Sequence, residues 1–247
     1  MDTRYLRNAY SSRFRLLKRI RKEFPYEFIA LPFCYASTMA SYLWPINSRE
    51  RLDRARFCQL LVDFGMPEMK KISIPLLYHN STEVAKKAIL SKFPLVAPTG
   101  QIITSKQIDC DENSLKQISS LISLKDIRKY SYVSIYYEEL RCPLIHTGWT
   151  SKEIMTHPMH DDPEETSYVN ELIVPPRKQI EEYAGIHNLD FAAARRSMVS
   201  TVHRLYLSHG KVVETIKLTI DKVLDYWDTA ERWGKDRPAK WWIHGDC

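Results

Sequence analysis

From Phe28 to Ile46 the chain runs 19 residues without a charged side chain, although 27% of its 247 residues are Asp, Glu, Lys or Arg. A stretch of that length matches a membrane span. Pro32, Pro45, two serines, a threonine and two tyrosines make it weakly hydrophobic for lipid. It therefore predicts a helix of about Glu27 to Leu43, buried in a protein core and stopped by Trp44-Pro45. No integral membrane span is expected, and no secretory signal is apparent, because the apolar stretch begins too late after the basic start.

A chain that buries such a helix must wrap it, and the remainder reads as mostly helical. There are only 7 glycines, and long runs rich in Leu, Ile, Lys, Glu and Ala favour helices over sheets. "TRYLRNAYSSRFRLLKRIRKEF" sets Tyr10, Phe14, Leu17 and Phe24 at helical spacing, predicting an amphipathic helix that ends near Pro25. "NSRERLDRARFCQLLVDFG" predicts a helix capped by Asn47 with Glu50, carrying a core stripe of Leu52, Phe57, Leu60, Leu61 and Phe64 and closed by Gly65. "ISIPLLY" reads as a short extended piece or turn-helix, and "STEVAKKAILSKF" as a short helix capped by Ser81 or Thr82. The turn-rich "APTGQIITSKQIDCDEN" has a middle that could form a small hairpin.

A helical stretch resumes near Ser114 and breaks near Ser131. After a polar loop, "YVNELIV" reads as a strand, and Pro175-Pro176 opens the helix "RKQIEEYAG". "LDFAAARRSMVSTVHRLYLSHG" and "KVVETIKLTIDKVLDYWDTAERW" read as two further helices separated by Gly210. The expected class is all-α: a basic helix over 1–25, a helical core over 26–180 and a C-terminal helical extension over 181–247, with at most a small β-hairpin.

The charge is local. Residues 1–23 carry Arg4, Arg7, Arg13, Arg15, Lys18, Arg19, Arg21 and Lys22 against Asp2 and Glu23, which accounts for the whole net charge of +6. An excess of this kind serves a polyanion or an anionic membrane surface, or is simply a solvated helix face. Arg13, Arg15, Lys18, Arg19, Arg21 and Lys22 are the candidate nucleic-acid contacts. As an amphipathic anchor the same helix would bind anionic membranes.

The five cysteines (Cys34, Cys58, Cys110, Cys142, Cys247) are scattered without a CxxC pair, which points to free thiols in a reducing compartment and places the protein in the cytoplasm. Cys58 and Cys142 stay open as nucleophiles, without a motif around either. "THPMHDDPEE" offers His157, His160, Asp161, Asp162, Glu164 and Glu165, but reads as a solvated loop, so no metal site and no cofactor are expected. "KWWIH", beside Lys235, Arg237 and Lys240, reads as terminal packing ahead of a docking or base-stacking role.

Within "YEELRCPLIHTGW" (Tyr137 to Trp149), Arg141 precedes His146 at the end of a helix. Arg196/His203, Arg204/His209 and Arg237/His244 have similar spacing, so spacing alone selects nothing. Five residues turn a regular helix by about 140°, whereas seven return to within about 20°, so Arg196/His203 is the better same-face pair. Chemically the two residue types suit metal-free RNA cleavage. Histidine titrates near neutrality and can move the 2′-hydroxyl and leaving-group protons. Arginine keeps its charge and presents a fork that fits phosphate oxygens.

Context favours Arg141/His146. "YEELRCPLIH", with the uncharged helix and "SRERLDRARFCQLLVDFG" before it and "SYVNELIV" after it, resembles the HEPN superfamily (higher eukaryotes and prokaryotes nucleotide-binding) over about residues 26–180. The resemblance implies an all-α bundle that dimerises and sets two Arg/His motifs across a two-fold axis. Active members are metal-independent endoribonucleases, many of them toxins or antiviral effectors with an antitoxin or other regulatory partner. Arg141 would then hold the scissile phosphate and His146 would transfer protons. Two features depart from the pattern: Cys142 follows the arginine, and Pro143 costs a helical hydrogen bond and a kink. The expectation is a homodimeric RNA endonuclease. Its alternative is a catalytically inactive HEPN-type module that binds nucleic acid or a regulatory protein.

Overall fold

The uncharged stretch becomes the centre of the molecule. The computed structural model of the protein describes residues 3–45, 52–96, 102–118, 120–151, 154–157, 166–230, 232–236, 238 and 240–243. Helix α1 (Thr3–Ile20) is followed by α2 (Pro25–Leu43), which Pro25 opens at the position where its missing N–H costs nothing. Along α2, Ile29, Phe33, Ala36, Ala40 and Leu43 recur every three or four residues and are fully buried, while Leu31 and Tyr42 face outward. Among the described residues no helix is long and apolar enough to cross a membrane.

α3 (Asp53–Phe64) buries the predicted Phe57, Leu60, Leu61 and Phe64. Asn47 and Glu50, the expected cap, lie outside the described residues. Gly65 closes α3 because a Cβ there would sit 2.2 Å from the Leu61 carbonyl oxygen. α4 (Ile74–His79) and α5 (Glu83–Lys92) begin at Ser73 and Thr82, whose hydroxyls accept from the Leu76 and Ala85 N–H groups. Then come β1 (Ile102–Thr104), α6 (Ser105–Ile108), α7 (Leu124–Arg128) and α8 (Tyr132–Ile135). The chain next widens into a π-helical turn, Tyr136–Arg141, and continues as α9 (Cys142–Thr147). β2 (Ile154–His157), β3 (Ser167–Ile173), α10 (Arg177–His187), α11 (Phe191–Met198), β4 (Ser200–Ser208) and α12 (His209–Thr229) complete it.

The molecule is mostly helical, but its sheet exceeds the small hairpin expected. Four strands lie in the order β1-β3-β4-β2. β1, β3 and β4 are antiparallel neighbours, and β2 runs parallel to β4 at the edge. Two expectations change here. Among the described residues of "APTGQIITSKQIDCDEN" there is no hairpin; Ile102–Thr104 pairs with Ser167–Val169 instead. The single helix expected over "LDFAAARRSMVSTVHRLYLSHG" stops at Met198, and its second half is β4. Val199, Thr201 and Val202 are β-branched and favour extended backbone. Beyond them Leu205 and Leu207 alternate into the core, and the ladder with β3 takes up the backbone hydrogen bonds. "YVNELIV" forms β3, as predicted.

One hydrophobic cluster runs from Tyr10 to Ile243. α12 packs Val212, Ile216, Ile220, Val223 and Leu224 against α2 and α3, so residues 181–247 supply a central strand and the longest helix of this core. Trp241 meets Trp44 edge-on, and the Trp242 ring lies under the Arg128 guanidinium, which is the terminal packing expected of "KWWIH".

Candidate nucleic-acid interface

The basic run divides by the face of α1 on which each residue falls. Tyr10, Phe14 and Leu17 point into the core, whereas Phe24, expected with them, lies beyond the helix and is exposed. Near the start of α1, Arg7 Nη2 reaches Asp225 Oδ1 at 2.7 Å and Asp228 Oδ2 at 2.5 Å, near the end of α12. Arg13 lies over the rings of Tyr10 and Tyr35. Arg15, Lys18 and Arg21 line a cleft of about 1320 Å³ whose opposite wall is the first half of α12. The two helices therefore run antiparallel, pinned by Arg7 at one end and parted at the other. Arg19 and Lys22 are exposed and lie off the cleft.

Three cations not anticipated from the sequence complete this cleft: Lys106 from α6, and Lys211 and Lys217 from α12. On α12 the signal was present, since Gly210, Val213, Glu214, Lys217 and Leu218 share one face at helical spacing. That this face meets α1 is not a local property. Phe14, Phe28 and Val213 form a buried apolar floor. Among the described residues, the carboxylates lining the cleft are Glu68 and Glu214. The first turn of α12 adds its positive dipole end, where the Ser208 hydroxyl accepts from the Lys211 N–H. Lys217 is partly committed to Asp221, one turn along α12.

The Arg141 region is built on opposite lines. Pro143 cannot donate to the Glu139 carbonyl, and the helix answers in two ways. It widens into the π-helical turn, and Glu139 O accepts instead from the Ser151 N–H at 3.1 Å. Arg141 is half-buried and points back at α3, with Nη2 2.6 Å from Asp53 Oδ2 and its guanidinium over the Tyr137 ring. The Tyr137 hydroxyl donates to the same Asp53 oxygen at 3.2 Å. Beside it Arg54 pairs with Glu138 at 2.8 Å. Two cations and two carboxylates thus clasp the π-turn to the start of α3.

His146 is exposed in the last turn of α9, and no hydrogen bond joins it to Arg141. Arg141 is paired with Asp53, and His146 faces solvent. Cys58 is a core residue: its thiol donates to Val133 O, and burial pushes its pKa up, which removes it as a nucleophile. Cys142 is half-buried beside Arg141.

The alternative pair is also divided. Arg196 is on α11 and His203 on β4, where its ring stacks on His79. Burial pushes both imidazoles down, His79 to about 3. Ile154–His157, expected within the polar loop, form β2 instead, and residues 158–165 of that loop lie outside the described residues. Among the described residues no group of three or more His, Cys, Asp or Glu is placed to hold a metal ion.

A third charged centre is fully inside. Asp109 Oδ2 accepts from the hydroxyls of Tyr132 and Tyr168, each at 2.6 Å, and Oδ1 from the Ile74 N–H at 3.1 Å. Burial pushes this carboxyl up to about 7 against those three donors. It ties α8, β3 and the start of α4 into one knot. Compared with known proteins, the chain matches no family model, no curated protein and no solved structure.

Proposed function

We propose that the protein is a cytoplasmic nucleic-acid-binding module that grips the phosphate backbone of RNA in the cleft between α1 and α12, without cleaving it. One observation carries this reading: Arg15, Lys18, Arg21, Lys106, Lys211 and Lys217 converge on one cleft that holds two carboxylates. Gathering like charges costs stability unless an anion neutralises them. A phosphate backbone does so, and releases its own counterions in the process. A membrane-anchor role fits α1 less well, because its apolar face is already spent on Tyr35, α2 and the core. Of the two HEPN-type roles, the silent module is favoured by Arg141, whose Nη2 is paired with Asp53.

The test is anisotropy titration of labelled RNA with two charge-matched variants. Arg15→Glu/Lys18→Glu alters the cleft; Arg19→Glu/Lys22→Glu makes the same charge change on exposed positions of the same segment. The cleft variant should bind at least ~tenfold more weakly than wild type, the control within about threefold. Equal losses would mean diffuse attraction to the whole segment and remove the cleft from the proposal.

The endoribonuclease reading retains support of its own. His146 is open to solvent, and it follows a π-helical turn, a feature frequent at functional sites. A homodimer would have to bring a partner's residues to His146, and an antitoxin-like protein could cover it. Cleavage of mixed-sequence RNA in EDTA by wild type but not by His146→Ala would establish this reading over the silent one.

A further inference from the structure

β3 and β4 are antiparallel neighbours joined by more than a turn. Between Ile173 and Ser200, which pair across the sheet, the chain runs out through α10 and back through α11. The two helices pack on each other as an arm. Of residues 177–198, all described, Ile180 and Ala194 are the buried ones. Helices of 11 and 8 residues are marginal on propensity alone and owe their stability to tertiary packing. This arm has little packing of its own, and it leaves Val174, Ile186, Leu189 and Phe191 exposed.

Those apolar groups are arranged along the arm. Ile186, 78% exposed, and Leu189 flank the turn at the tip, where Asn188 takes the left-handed conformation that ends α10. From there Phe191, Ala192, Arg195, Arg196 and Val199, on one face of α11, line a groove of about 420 Å³ that runs back towards the sheet. The tip therefore offers apolar side chains, and the base offers a groove floored by Ala192 and Val199.

Charge is divided the same way. The tip half, 182–191, carries Glu182 and Asp190 and neither Lys nor Arg, a net −2. The base half, 177–181 with 192–198, sets Arg177, Lys178, Arg195 and Arg196 against Glu181, a net +3. Arg177 pairs with Glu181 and lies over the Phe191 ring. Helix dipoles do not account for this pattern. Asp190 and the two arginines of α11 suit their own helix, but Arg177 and Lys178 stand in the first turn of α10, where a cation is disfavoured. Within one hairpin the tip never meets the base. A second copy of the arm, turned end for end, brings tip to base twice.

We infer that the α10–α11 arm is a self-association surface. Two copies pack α11 antiparallel across a two-fold axis, and each tip sets Ile186 and Leu189 over the partner's groove with Glu182 and Asp190 towards its basic base. This two-fold lies on α11, outside the Arg141/His146 segment, and the inference does not rest on the nucleic-acid reading.

The experiment is sedimentation velocity on the full chain from about 5 to 500 µM in about 50 mM salt. Wild type should pass reversibly from monomer to dimer across this range, because two short helices offer less than the ~800 Å² per partner of a standard interface. Ile186→Glu should weaken dimerisation at least ~tenfold. Val84→Glu, the same change at another exposed helical position, should alter it less than about twofold. Two charge variants test the antiparallel arrangement: Arg195→Glu/Arg196→Glu at the base and Glu182→Lys/His187→Lys at the tip. Each alone should dimerise at least ~threefold more weakly, and their equimolar mixture should recover to within about threefold of wild type, since both contacts are again between opposite charges. A wild type that stays monomeric to 500 µM overturns the inference. A dimer indifferent to Ile186→Glu places the interface elsewhere, and a mixture that fails to recover overturns the antiparallel arrangement. Loss of RNA affinity in Arg195→Glu/Arg196→Glu, with wild type monomeric, would assign the basic base to RNA instead.

Discussion

The α1–α12 cleft and the Arg141 turn both present arginine, and they treat it oppositely. At the turn, each cation has a carboxylate from a neighbouring element: Arg141 with Asp53, Arg54 with Glu138. In the cleft, cations from α1, α6 and α12 face one another across an open furrow. A compensated charge fastens elements together, and bringing a phosphate to it means displacing a carboxylate. A cleft that sets six cations against Glu68 and Glu214 keeps a basic excess that an anion can neutralise. Residue type and helix context pointed to Arg141; the balance of charge around it points elsewhere.

The largest expected effect concerns a carboxylate compensated by neither means. Asp109 lies among tyrosines, and its pKa is raised from 3.8 to about 7 by burial. As pH rises through that window, the unfolded chain releases this proton while the folded chain keeps it. Stability should therefore fall between pH 3.8 and about 7 and level off above. The full shift corresponds to on the order of 4 kcal/mol. Urea unfolding across this range should show the decline in wild type and a flatter profile in Asp109→Asn. Parallel profiles would mean that the tyrosine hydroxyls hold the carboxylate ionised.

Next is the salt dependence of RNA binding. If about four cleft cations meet phosphates, the logarithmic slope is about −3 on a single strand. Raising salt from about 50 to 200 mM should then weaken binding roughly 50-fold. A slope near zero would make the cleft no different from the compensated turn.

The turn itself should answer in stability and not in binding. Arg141→Ala strands Asp53 and removes the stacking on Tyr137, for a loss of about 1–2 kcal/mol in chemical denaturation. A double-mutant cycle with Asp53→Asn should recover part of that loss as coupling energy. RNA affinity should stay within about twofold of wild type. A tenfold loss of affinity in a folded Arg141→Ala protein would reverse the assignment of the two regions.

The smallest effect is expected at His146. His146→Ala should leave both stability and RNA affinity unchanged within about 0.5 kcal/mol, because the side chain is exposed. A larger loss of affinity would extend the interface to α9.

Much of the helical part was legible in the chain, because amphipathic spacing and capping act within a few residues. Tyr10, Phe14 and Leu17 bury as spaced, α2 buries the uncharged run, and Thr82 caps α5. β4 was misread for a related reason. "AAARRSM" is a strong helix former, and a rule that sums over neighbours carried its preference into "VSTVHRLYLS". Competition from β3, some thirty residues earlier, is invisible to such a rule. The same limit hid the partner of Arg141: Glu138 is the neighbour in sequence, whereas Asp53 is the neighbour in space.

What the sequence by itself determined is the set of faces: an uncharged helix that must be enclosed, a basic helix with one apolar side, and an arginine and a histidine either side of a proline. Those properties belong to residues within one or two turns of each other, where the backbone period dictates which side chains share a surface. Only the tertiary structure decided which faces meet. It set the basic side of α1 along the basic start of α12, and turned Arg141 inward to Asp53. Hydrophobic burial is non-directional, so the apolar stripes required each helix to dock without choosing its neighbour. The charges left facing one another across the cleft are a result of that choice.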